Sequence, residues 1–278
     1  DFRSMPGEKS LKSESLNGVE VNRIKTLFQI KNNVFFRMLS YLTFVIQSLF
    51  LAYRISKKSD IVITIAPISS GIVGALVKFF NRKIHHHFDV PDILPDLGIS
   101  AGMIKNKFLI KILFFLEKWV YSKCDTISAI TKGQIENIKN KGVSKSKLFY
   151  IPDWIDDSFF RKNLKENKIK VQKSLKKYSN KKLISFVGNI GALQNPKIFI
   201  QMMQLKNTIN KNFHFLFIGD GIMLEGLKDE VRRNNIQNVS FVGRVARELI
   251  PAYMNLSDVL VANYLPNKYM DICIPGKL

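Results

Sequence analysis

Lys182-Leu-Ile-Ser-Phe-Val-Gly-Asn-Ile-Gly-Ala-Leu-Gln-Asn-Pro-Lys197 is the stretch of sequence that decides the fold. Its apolar run, Leu183 to Val187, is short, bulky and closed by glycine, which is typical of a buried parallel strand. Pro196 suits the first turn of a helix, where its missing N–H costs nothing. A strand, a glycine turn and a helix present backbone N–H groups to an anion, so the stretch predicts a phosphate site. An ordinary tight turn is the alternative interpretation of Gly-x-x-Gly.

Short apolar runs alternate with helical periodicity along both halves of the chain. The expected strands span residues 60–65, 84–89, 125–130, 147–151, 183–187, 213–218, 239–242 and 258–262. This alternation predicts an α/β fold with parallel sheets covered by helices on both faces. Ligands of such sheets bind at the carboxyl ends of strands, where Gly188-Asn189, Gly219-Asp220 and Gly243-Arg244 all lie. Three polar loops at one edge favour a convergent phosphate site over an ordinary turn.

The composition indicates two domains and an anionic partner. The 278 residues are 46% hydrophobic, enough to form two cores, and 43 Lys and Arg against 22 Asp and Glu give a formal net charge of +21. That charge favours nucleic acid, anionic lipid or a phosphorylated substrate. Cys124 and Cys273 lie far apart in apolar surroundings, which indicates buried thiols of a reducing compartment without metal spacing.

A basic segment divides the two predicted domains. Residues 1–157 form the expected first domain and residues 183–278 the second. Between them, residues 158–182 carry ten Lys and Arg, a pattern typical of a solvated linker with a short helix. The chain does not begin with Met and stops soon after Pro275-Gly276, so we expect a fragment that lacks sequence at both ends.

Two amphipathic segments in the first domain favour contact with a membrane surface. Residues 34–55 reach the ~20 residues of a membrane span, but Arg37, Gln47 and Arg54 argue against one. We expect a long helix that packs in a core or lies on a membrane face. Residues 108–119 form a second amphipathic helix with a basic flank. Together with the net charge, these helices favour attachment to anionic lipid.

Three consecutive histidines begin a predicted strand that ends in Asp89. Only His85 and His87 can share a face of that strand, because side chains alternate. A metal site would need a third converging ligand, for which Asp89 is available. The preferred interpretation is that one histidine lines a cleft and that no metal is bound.

A series of short motifs follows in a specific order along nearly the whole chain. They are Phe88-Asp-Val-Pro-Asp92 with Leu97-Gly98, Leu116-Glu-Lys-Trp-Val-Tyr121, Asp125-Thr-Ile-Ser-Ala-Ile-Thr131, Lys141-Gly-Val143 with Ile151-Pro-Asp-Trp-Ile-Asp156, Gly188-Asn-Ile-Gly191, Gly219-Asp-Gly221, Val239-Ser-Phe-Val-Gly-Arg244 and Ile274-Pro-Gly-Lys277. In this order they resemble the GT-B glycosyltransferases of the family-4 type, close to bacterial enzymes of colanic-acid, O-antigen and capsule assembly.

The resemblance implies a GT-B fold, with two Rossmann-like domains whose parallel sheets face each other across a cleft. It implies a retaining transfer of a sugar from a nucleotide sugar, UDP-linked before GDP-linked, to a lipid-linked saccharide acceptor. No further cofactor is implied, since the task is mostly to stabilise a leaving diphosphate electrostatically. The expected location is cytoplasmic, peripheral at the inner face of the cytoplasmic membrane.

The resemblance also implies roles for individual residues. His87, chosen over His85, would approach the transferred sugar, and Asp89 would orient it or touch the acceptor. The implied donor-binding residues are Gly188, Asn189, Gly191, Gln194, Lys197, Gly219, Asp220, Gly221, Gly243, Arg244, Pro275, Gly276 and Lys277. Related enzymes often place Arg and Lys at or near positions 189 and 194, where this chain has neutral residues. Lys197 or Lys277 would then supply the charge.

Two alternatives stay open beside this reading. One alternative is an inactive remnant of a transferase. The sequence lacks the family's E-x7-E helix, which is expected just past Leu278, and the family's N-terminal glycine-rich loop, which is expected before Asp1. A nucleic-acid-binding protein is the other alternative, because the positive charge alone permits it. The aromatic residues lie mostly in predicted strands and helix interiors and no recognition motif occurs, so we expect no nucleic-acid partner.

Overall fold

The computed structural model describes residues 11–24, 34–204 and 212–274. The chain forms two compact units, Asp1–Pro152 and Asp153–Leu278. Each unit contains a four-stranded parallel sheet with connecting helices. The α/β fold with parallel sheets that the sequence predicts is therefore confirmed.

The first unit begins with an antiparallel hairpin. Strand β1 (Leu11–Leu16) pairs with β2 (Val19–Ile24). Asn17 and Gly18 form the two-residue turn with φ angles of 50° and 82°, the left-handed pair that a tight hairpin turn needs. The sequence carries no signal for β1, since residues 11–16 are mostly polar and form no apolar face.

A parallel sheet of order β3-β4-β5-β6 forms the body of the first unit. Its elements are α1 (Val34–Ser56), β3 (Ile61–Ile65), α2 (Ile68–Phe80), β4 (His85–Val90), α3 (Leu94–Ser100), α4 (Lys107–Lys123), β5 (Thr126–Ala129), α5 (Lys132–Asn140) and β6 (Leu148–Tyr150). Helix α2 packs against both α1 and α4. The long amphipathic helix and the histidine strand lie where the sequence predicts them.

The two faces of the first sheet differ in how they are covered. Val62 and Ile84 pack under α1 and α2 in an apolar cluster. On the opposite face of β3, Ile61, Ile63 and Ile65 remain 57%, 64% and 56% exposed. The expectation of helices on both faces therefore does not hold for this part of the sheet, because the described helices that pack near β3 share one side of it.

The second unit has a sheet of order β10-β7-β8-β9. Its elements are α6 (Asp157–Arg161), α7 (Leu164–Ser174), β7 (Lys182–Val187), α8 (Lys197–Gln204), β8 (Phe213–Ile218), α9 (Leu224–Arg233), β9 (Val239–Gly243), α10 (Ile250–Leu256) and β10 (Val259–Val261). Along β8, Phe215 and Phe217 join the cluster formed with α8 and α9. Leu216 and Ile218 join the cluster formed with α7 and α10. Both faces of this sheet are covered, which explains the apolar run over residues 215–218 of β8.

The basic segment between the predicted domains contributes to the core of the second unit. Helix α7 lies within residues 158–182, and Val171 and Leu175 are buried against the sheet. Asn167 is also buried, and its side-chain amide donates to the backbone carbonyl of Glu248 at 3.0 Å. The lysines occupy the rest of the helix surface. The segment therefore contains a packed helix rather than only a solvated linker, because its few apolar residues recur at helical spacing.

Candidate functional site

Three loops meet at the carboxyl edge of the second sheet: residues 188–196 after β7 (the first loop), 219–223 after β8 (the second loop) and 243–246 after β9 (the third loop). The backbone N–H of Gly188 donates to the carbonyl of Ile218 at 2.8 Å, and that of Gly219 donates to the carbonyl of Gly243 at 2.9 Å. The N–H of Ile190 donates to the carbonyl of Asp220, also at 2.8 Å. The structure thus brings together the three glycine-bearing loops that the sequence places at one edge.

Glycine is required where the first two loops touch. A Cβ on Gly219 would lie 1.9 Å from the carbonyl oxygen of Gly188, and the φ of Gly219 is +140°. A Cβ on Gly221 would lie 2.4 Å from the carbonyl oxygen of Ile190. Since backbone atoms cannot yield to such contacts, both positions exclude any side chain. Ile190 is fully buried and anchors the first loop in the apolar core.

Two neutral side chains stand at the positions where the resemblance leads one to expect cations. Asn189 is exposed, and its amide nitrogen lies 3.4 Å from Oε1 of Gln194. Gly191 lies between them, since a Cβ there would approach the Asn189 amide nitrogen to 2.7 Å and the Gln194 oxygen to 2.8 Å. The first loop therefore offers side-chain amide groups to a ligand, but no charge of its own.

Charged side chains border the three loops. Lys197 is exposed at the start of α8, and Arg244 is exposed directly after β9. Asp220 is also exposed, and its Oδ1 accepts the backbone N–H of Gly221 at 2.7 Å, which shapes the second loop. The remaining predicted donor-binding residues, Pro275, Gly276 and Lys277, lie outside the described residues.

The connection from the glycine turn to α8 is longer than the sequence predicts. A 3₁₀ turn spans Ala192–Gln194, and Asn195 has a left-handed φ of 40° before α8 begins at Lys197. The segment after β10 holds this connection: Leu265 N–H donates to the Leu193 carbonyl at 2.7 Å, and the Asn263 amide donates to the Asn195 carbonyl at 3.2 Å. Sequence reasoning missed both contacts, because Asn263 and Leu265 belong to no motif.

The three consecutive histidines of the first unit have different surroundings. His86 is fully buried on the helix side of β4, and its Nε2 lies 2.8 Å from Oγ1 of Thr64. A Cβ on Gly74 of α2 would approach that Nε2 to 2.2 Å, so the glycine makes room for the ring. Burial lowers the pKa of His86 from 6.5 to about 4, although Asp125 opposes the shift. His86 is therefore a neutral core residue.

His87 and Asp89, the predicted catalytic pair, lie on the other face of β4 with two hydroxyls from β5. His87 Nδ1 lies 2.8 Å from Oγ1 of Thr126, and His87 Nε2 lies 3.0 Å from Oγ of Ser128. Ser128 Oγ donates to Oδ1 of Asp89 at 2.5 Å. The same Thr126 hydroxyl lies 2.9 Å from Nε2 of His85. The structure thus joins His87 to Asp89 through Ser128 instead of bringing the two into direct contact.

Burial lowers the pKa of the half-buried His87, with a further small lowering by His85, while Asp89 acts in the opposite direction. The ring is therefore neutral near pH 7. Among the residues that the structure describes, no three or more His, Cys, Asp or Glu side chains are arranged to hold a metal ion. The chemistry available on this face is hydrogen bonding by a neutral imidazole, two hydroxyls and a carboxylate.

The segment that carries the three loops matches a known family. The model of the family described as "Glycosyl transferases group 1" matches residues 167–265, which include α7, the three loops and β10. The second unit carries a group 1 glycosyltransferase domain. Most of the positions that the sequence predicts for donor binding, from Gly188 to Arg244, fall inside this glycosyltransferase domain.

Two curated bacterial proteins are similar to the chain that carries this glycosyltransferase domain. The chain is 24% identical over 157 residues to the probable glycosyltransferase WbjE of Pseudomonas aeruginosa. The aligned residues cover 56% of this chain and 38% of WbjE. It is also 22% identical over 184 residues to the putative colanic acid biosynthesis glycosyl transferase WcaI of Escherichia coli strain K12. The aligned residues cover 66% of this chain and 45% of WcaI. The chain therefore spans less than half the length of the curated relatives it matches.

Solved structures share the fold, among them a glycosyltransferase from Rickettsia africae, which aligns with a TM-score of 0.56 at 14% identity, over 85% of this chain and 58% of that one. The crystal structure of Anabaena HepE in complex with UDP and glucose aligns with a TM-score of 0.63 at 15% identity, over 81% of this chain and 57% of HepE. At this identity the likeness shows the fold alone. Together with the group 1 glycosyltransferase domain, it confirms the GT-B class that the resemblance implies.

Thr126 and Ser128 are the residues of the first unit that sequence reasoning left without a role. A signal for them exists in the sequence. They are spaced two apart on a predicted strand, as are His85, His87 and Asp89 on the strand before it. Neighbouring parallel strands can place such sets on one face, so the two patterns indicate a shared polar face, whereas the individual contacts depend on the strand register.

Proposed function

We propose that the chain belongs to a glycosyltransferase that moves a sugar from a nucleotide sugar, UDP-linked in the first instance, to a saccharide acceptor of bacterial surface polysaccharide. The observation that carries this proposal is the convergence of three glycine-bearing loops at one sheet edge within the matched domain. The names of the relatives support the polysaccharide context. HepE, which shares the fold, was solved with UDP and with UDP-glucose, which supports a uridine donor.

The edge of the second sheet would bind the diphosphate of the donor. Gly191 keeps the first loop free of a side chain at that position, and the amides of Asn189 and Gln194 add neutral donors. Lys197 would supply positive charge to the leaving diphosphate. In this proposal Gly219, Asp220 and Gly221 shape the pocket wall, Gly243 with Arg244 lies near the base, and Pro275, Gly276 and Lys277 complete the donor site.

The proposed reaction retains the configuration of the transferred sugar and uses a lipid-linked acceptor bound by the first unit. His87 and Asp89 are the proposed contacts to the reacting sugars, supported by their half-buried positions on the sheet face that leaves the β3 isoleucines exposed. Both ring nitrogens of His87 are hydrogen-bonded, one to Thr126 and the other to Ser128. A sugar would therefore contact His87 through these hydroxyls or displace one of them. The carboxylate of Asp89 at the strand end is the stronger acceptor of a sugar hydroxyl.

Attachment to the inner face of the cytoplasmic membrane is proposed for the first unit. Along α4, Phe108 and Phe115 are 73% and 70% exposed, with Ile112 between them and Lys111 and Lys118 beside them. Glu117, the acidic residue of this helix, is buried away from that face. Exposed aromatic rings flanked by lysines are typical of a helix that lies on an anionic bilayer.

Helix α1 adds a second apolar stripe to the first unit. Leu42, Ile46 and Phe50 are 56%, 61% and 69% exposed at intervals of four residues, and the guanidinium of Arg54 lies 5.9 Å from the centre of the Phe50 ring. Among the helices that the structure describes, this one alone is long and apolar enough to cross a membrane, judged by length and composition over Leu39–Ser56. Its stripe and its terminal arginine support the peripheral orientation proposed here.

The donor site is tested by calorimetric titration and thermal unfolding with UDP, UDP-glucose, GDP, ADP and dTDP. A ligand at a hundred times its dissociation constant stabilises the folded state by ~2.7 kcal/mol. We expect one nucleotide class, UDP first, to bind. The double variant Lys197→Ala/Arg244→Ala should lose most of that binding. A matched control, Lys228→Ala/Arg232→Ala, removes the same charge from α9 and should bind normally. Absence of binding by every nucleotide contradicts the proposed donor site of this chain.

A further inference from the structure

The polar cluster on the first sheet is built by strand register. In the parallel pair β4–β5, His87 lies opposite Thr126 and Asp89 opposite Ser128, so the four side chains share one face. The imidazole of His87 lies between the two hydroxyls, bonded to one through each ring nitrogen. His85 is bonded to Thr126 at one end of the cluster, and Asp89 is bonded to Ser128 at the other end. The cluster therefore forms one chain of hydrogen bonds along the strands.

The direction of every bond in this chain follows from counting hydrogens. Ser128 Oγ has one hydrogen and donates it to the carboxylate of Asp89, so it must accept from His87. The hydrogen of the neutral His87 ring is therefore on Nε2, and its Nδ1 is an acceptor. Thr126 then donates its hydroxyl hydrogen to Nδ1 of His87 and accepts from Nε2 of His85.

We propose that Thr126 and Ser128 are positioning residues that hold His87 as its neutral Nε2–H tautomer and direct one hydrogen-bond chain from His85 to Asp89. Ser128 determines the tautomer, because its one hydrogen is donated to Asp89 and its oxygen can only accept a hydrogen from His87. Its side chain is buried, with 1% exposed, so water does not replace it readily. Thr126 links the two histidines. The inference about the reaction rests on the proposed function, whereas the inference about the tautomer does not.

The Thr126 hydroxyl joins the two histidine rings. Its one hydrogen points to Nδ1 of His87, and its oxygen accepts from Nε2 of His85. A second proton on Nδ1 of His87 would remove the acceptor that this hydrogen uses, so the neutral ring is the form that the cluster fits.

The groups that face His87 are few. On its own strand they are His85 and Asp89, which act on its protonation in opposite directions. On β5 they are the two hydroxyls, and on β3 the residue opposite His87 is the apolar Ile63. His86 and Thr64 lie on the other side of the sheet, where they bond to each other. The hydrogen bonds to Ser128 and Thr126 therefore determine whether the neutral His87 ring carries its hydrogen on Nε2 or on Nδ1.

The tautomer is read directly by NMR of the whole chain labelled with ¹⁵N-histidine. The chain contains four histidines, and single replacement of each by Gln assigns the signals. We expect His87 to carry its hydrogen on Nε2 at pH 7. Ser128→Ala should shift His87 toward the Nδ1–H form. Thr126→Val keeps the Ser128 acceptor, so it should retain the Nε2–H form of His87.

Either of two results overturns the proposal: an Nδ1–H tautomer for His87 in the wild type, or a Ser128→Ala variant in which the tautomer does not change. A second readout is the release of UDP from UDP-glucose, followed against pH. Ser128→Ala should lower kcat about tenfold or more, because a misplaced group costs that much, and leave KM for the nucleotide sugar unchanged. A wild type without turnover counts against the proposed function, and the NMR result then decides the positioning role alone.

Discussion

The ammonium of Lys141 lies 2.8 Å from Oε2 of Glu117, a carboxylate with only 3% of its surface exposed. The same ammonium pairs with Asp96 at 2.5 Å, and Tyr121 donates its hydroxyl to Oε1 of Glu117 at 3.0 Å. Burial raises the pKa of Glu117, and the nearby Lys141 opposes that shift. The residues of two separate sequence motifs, around Glu117 and around Lys141, therefore meet in one structural ion cluster.

Replacement of Lys141 by Met should destabilise the first unit by about 3 kcal/mol, because it leaves Glu117 buried without a cation. Lys139→Met is the matched control. That lysine pairs with Glu136 on the surface, so its loss should change stability by less than about 0.5 kcal/mol. Urea unfolding of both variants measures the difference. Equal stability of the two would mean that Glu117 takes a proton at no cost.

Gly219→Ala should destabilise the second unit by more than about 2 kcal/mol, because it combines a left-handed φ with a backbone clash. It should also abolish nucleotide binding, since the clash separates the first two loops. Gly226→Ala in α9 meets open space and should stabilise by up to ~1 kcal/mol. Thermal unfolding with and without UDP compares them. Normal UDP binding by Gly219→Ala would contradict the proposed role of these loops.

The free energy of unfolding should fall as the pH drops from about 6.5 toward 4. In that window the unfolded chain protonates His86, whereas the folded chain, with a pKa of about 4, does not. The unfolded state then binds more protons, so acid favours it, by roughly 3 kcal/mol in total for this residue. His86→Gln should reduce the slope of urea unfolding against pH over the same window, and His214, whose pKa burial also lowers to about 4, should keep its own contribution. An unchanged slope in the His86→Gln variant would contradict the role given to His86.

Binding to anionic vesicles should depend on both the rings and the lysines of α4. Lys111→Gln/Lys118→Gln should weaken binding to vesicles that contain phosphatidylserine by about 2 kcal/mol, roughly thirtyfold. Phe108→Ser/Phe115→Ser should weaken it as well, whereas Trp154→Ser, which is 86% exposed in the second unit, should not. Co-sedimentation at low and high salt measures these effects, and binding should decrease with salt. Equal binding to neutral and anionic vesicles would contradict the proposed attraction between the lysines of α4 and anionic lipid.

Most of the fold was predictable because the strands carry strong local patterns. The run from Phe213 to Ile218 and the glycine at the end of β7, β8 and β9 specify a parallel sheet and its ligand edge without knowledge of any contact. The covered and uncovered faces were not predictable. Ile61 and Ile63 look like buried strand residues in the sequence, but which side of β3 the helices occupy depends on how distant segments pack.

The candidate site was predictable in its positions more than in its interactions. The convergence of Gly188, Gly219 and Gly243 follows from strand ends alone. The hydrogen bonds from His87 to Thr126 and Ser128 depend on the register of β4 against β5, which spacing within one strand does not reveal. The sequence predicts a short helix in residues 158–182, but the density of lysine concealed its packing, because Val171 and Leu175 are two apolar residues among many charges.

The packing of α7 decides where the chain can be cut if the second unit is to be prepared alone. A shorter protein that starts at Leu183 would keep every strand of the second sheet but would lose Val171 and Leu175. The apolar surface of Leu216 and Ile218 would then be open to solvent, and such a protein should aggregate during purification. A protein that starts at Asp153 retains the helix and should remain monodisperse.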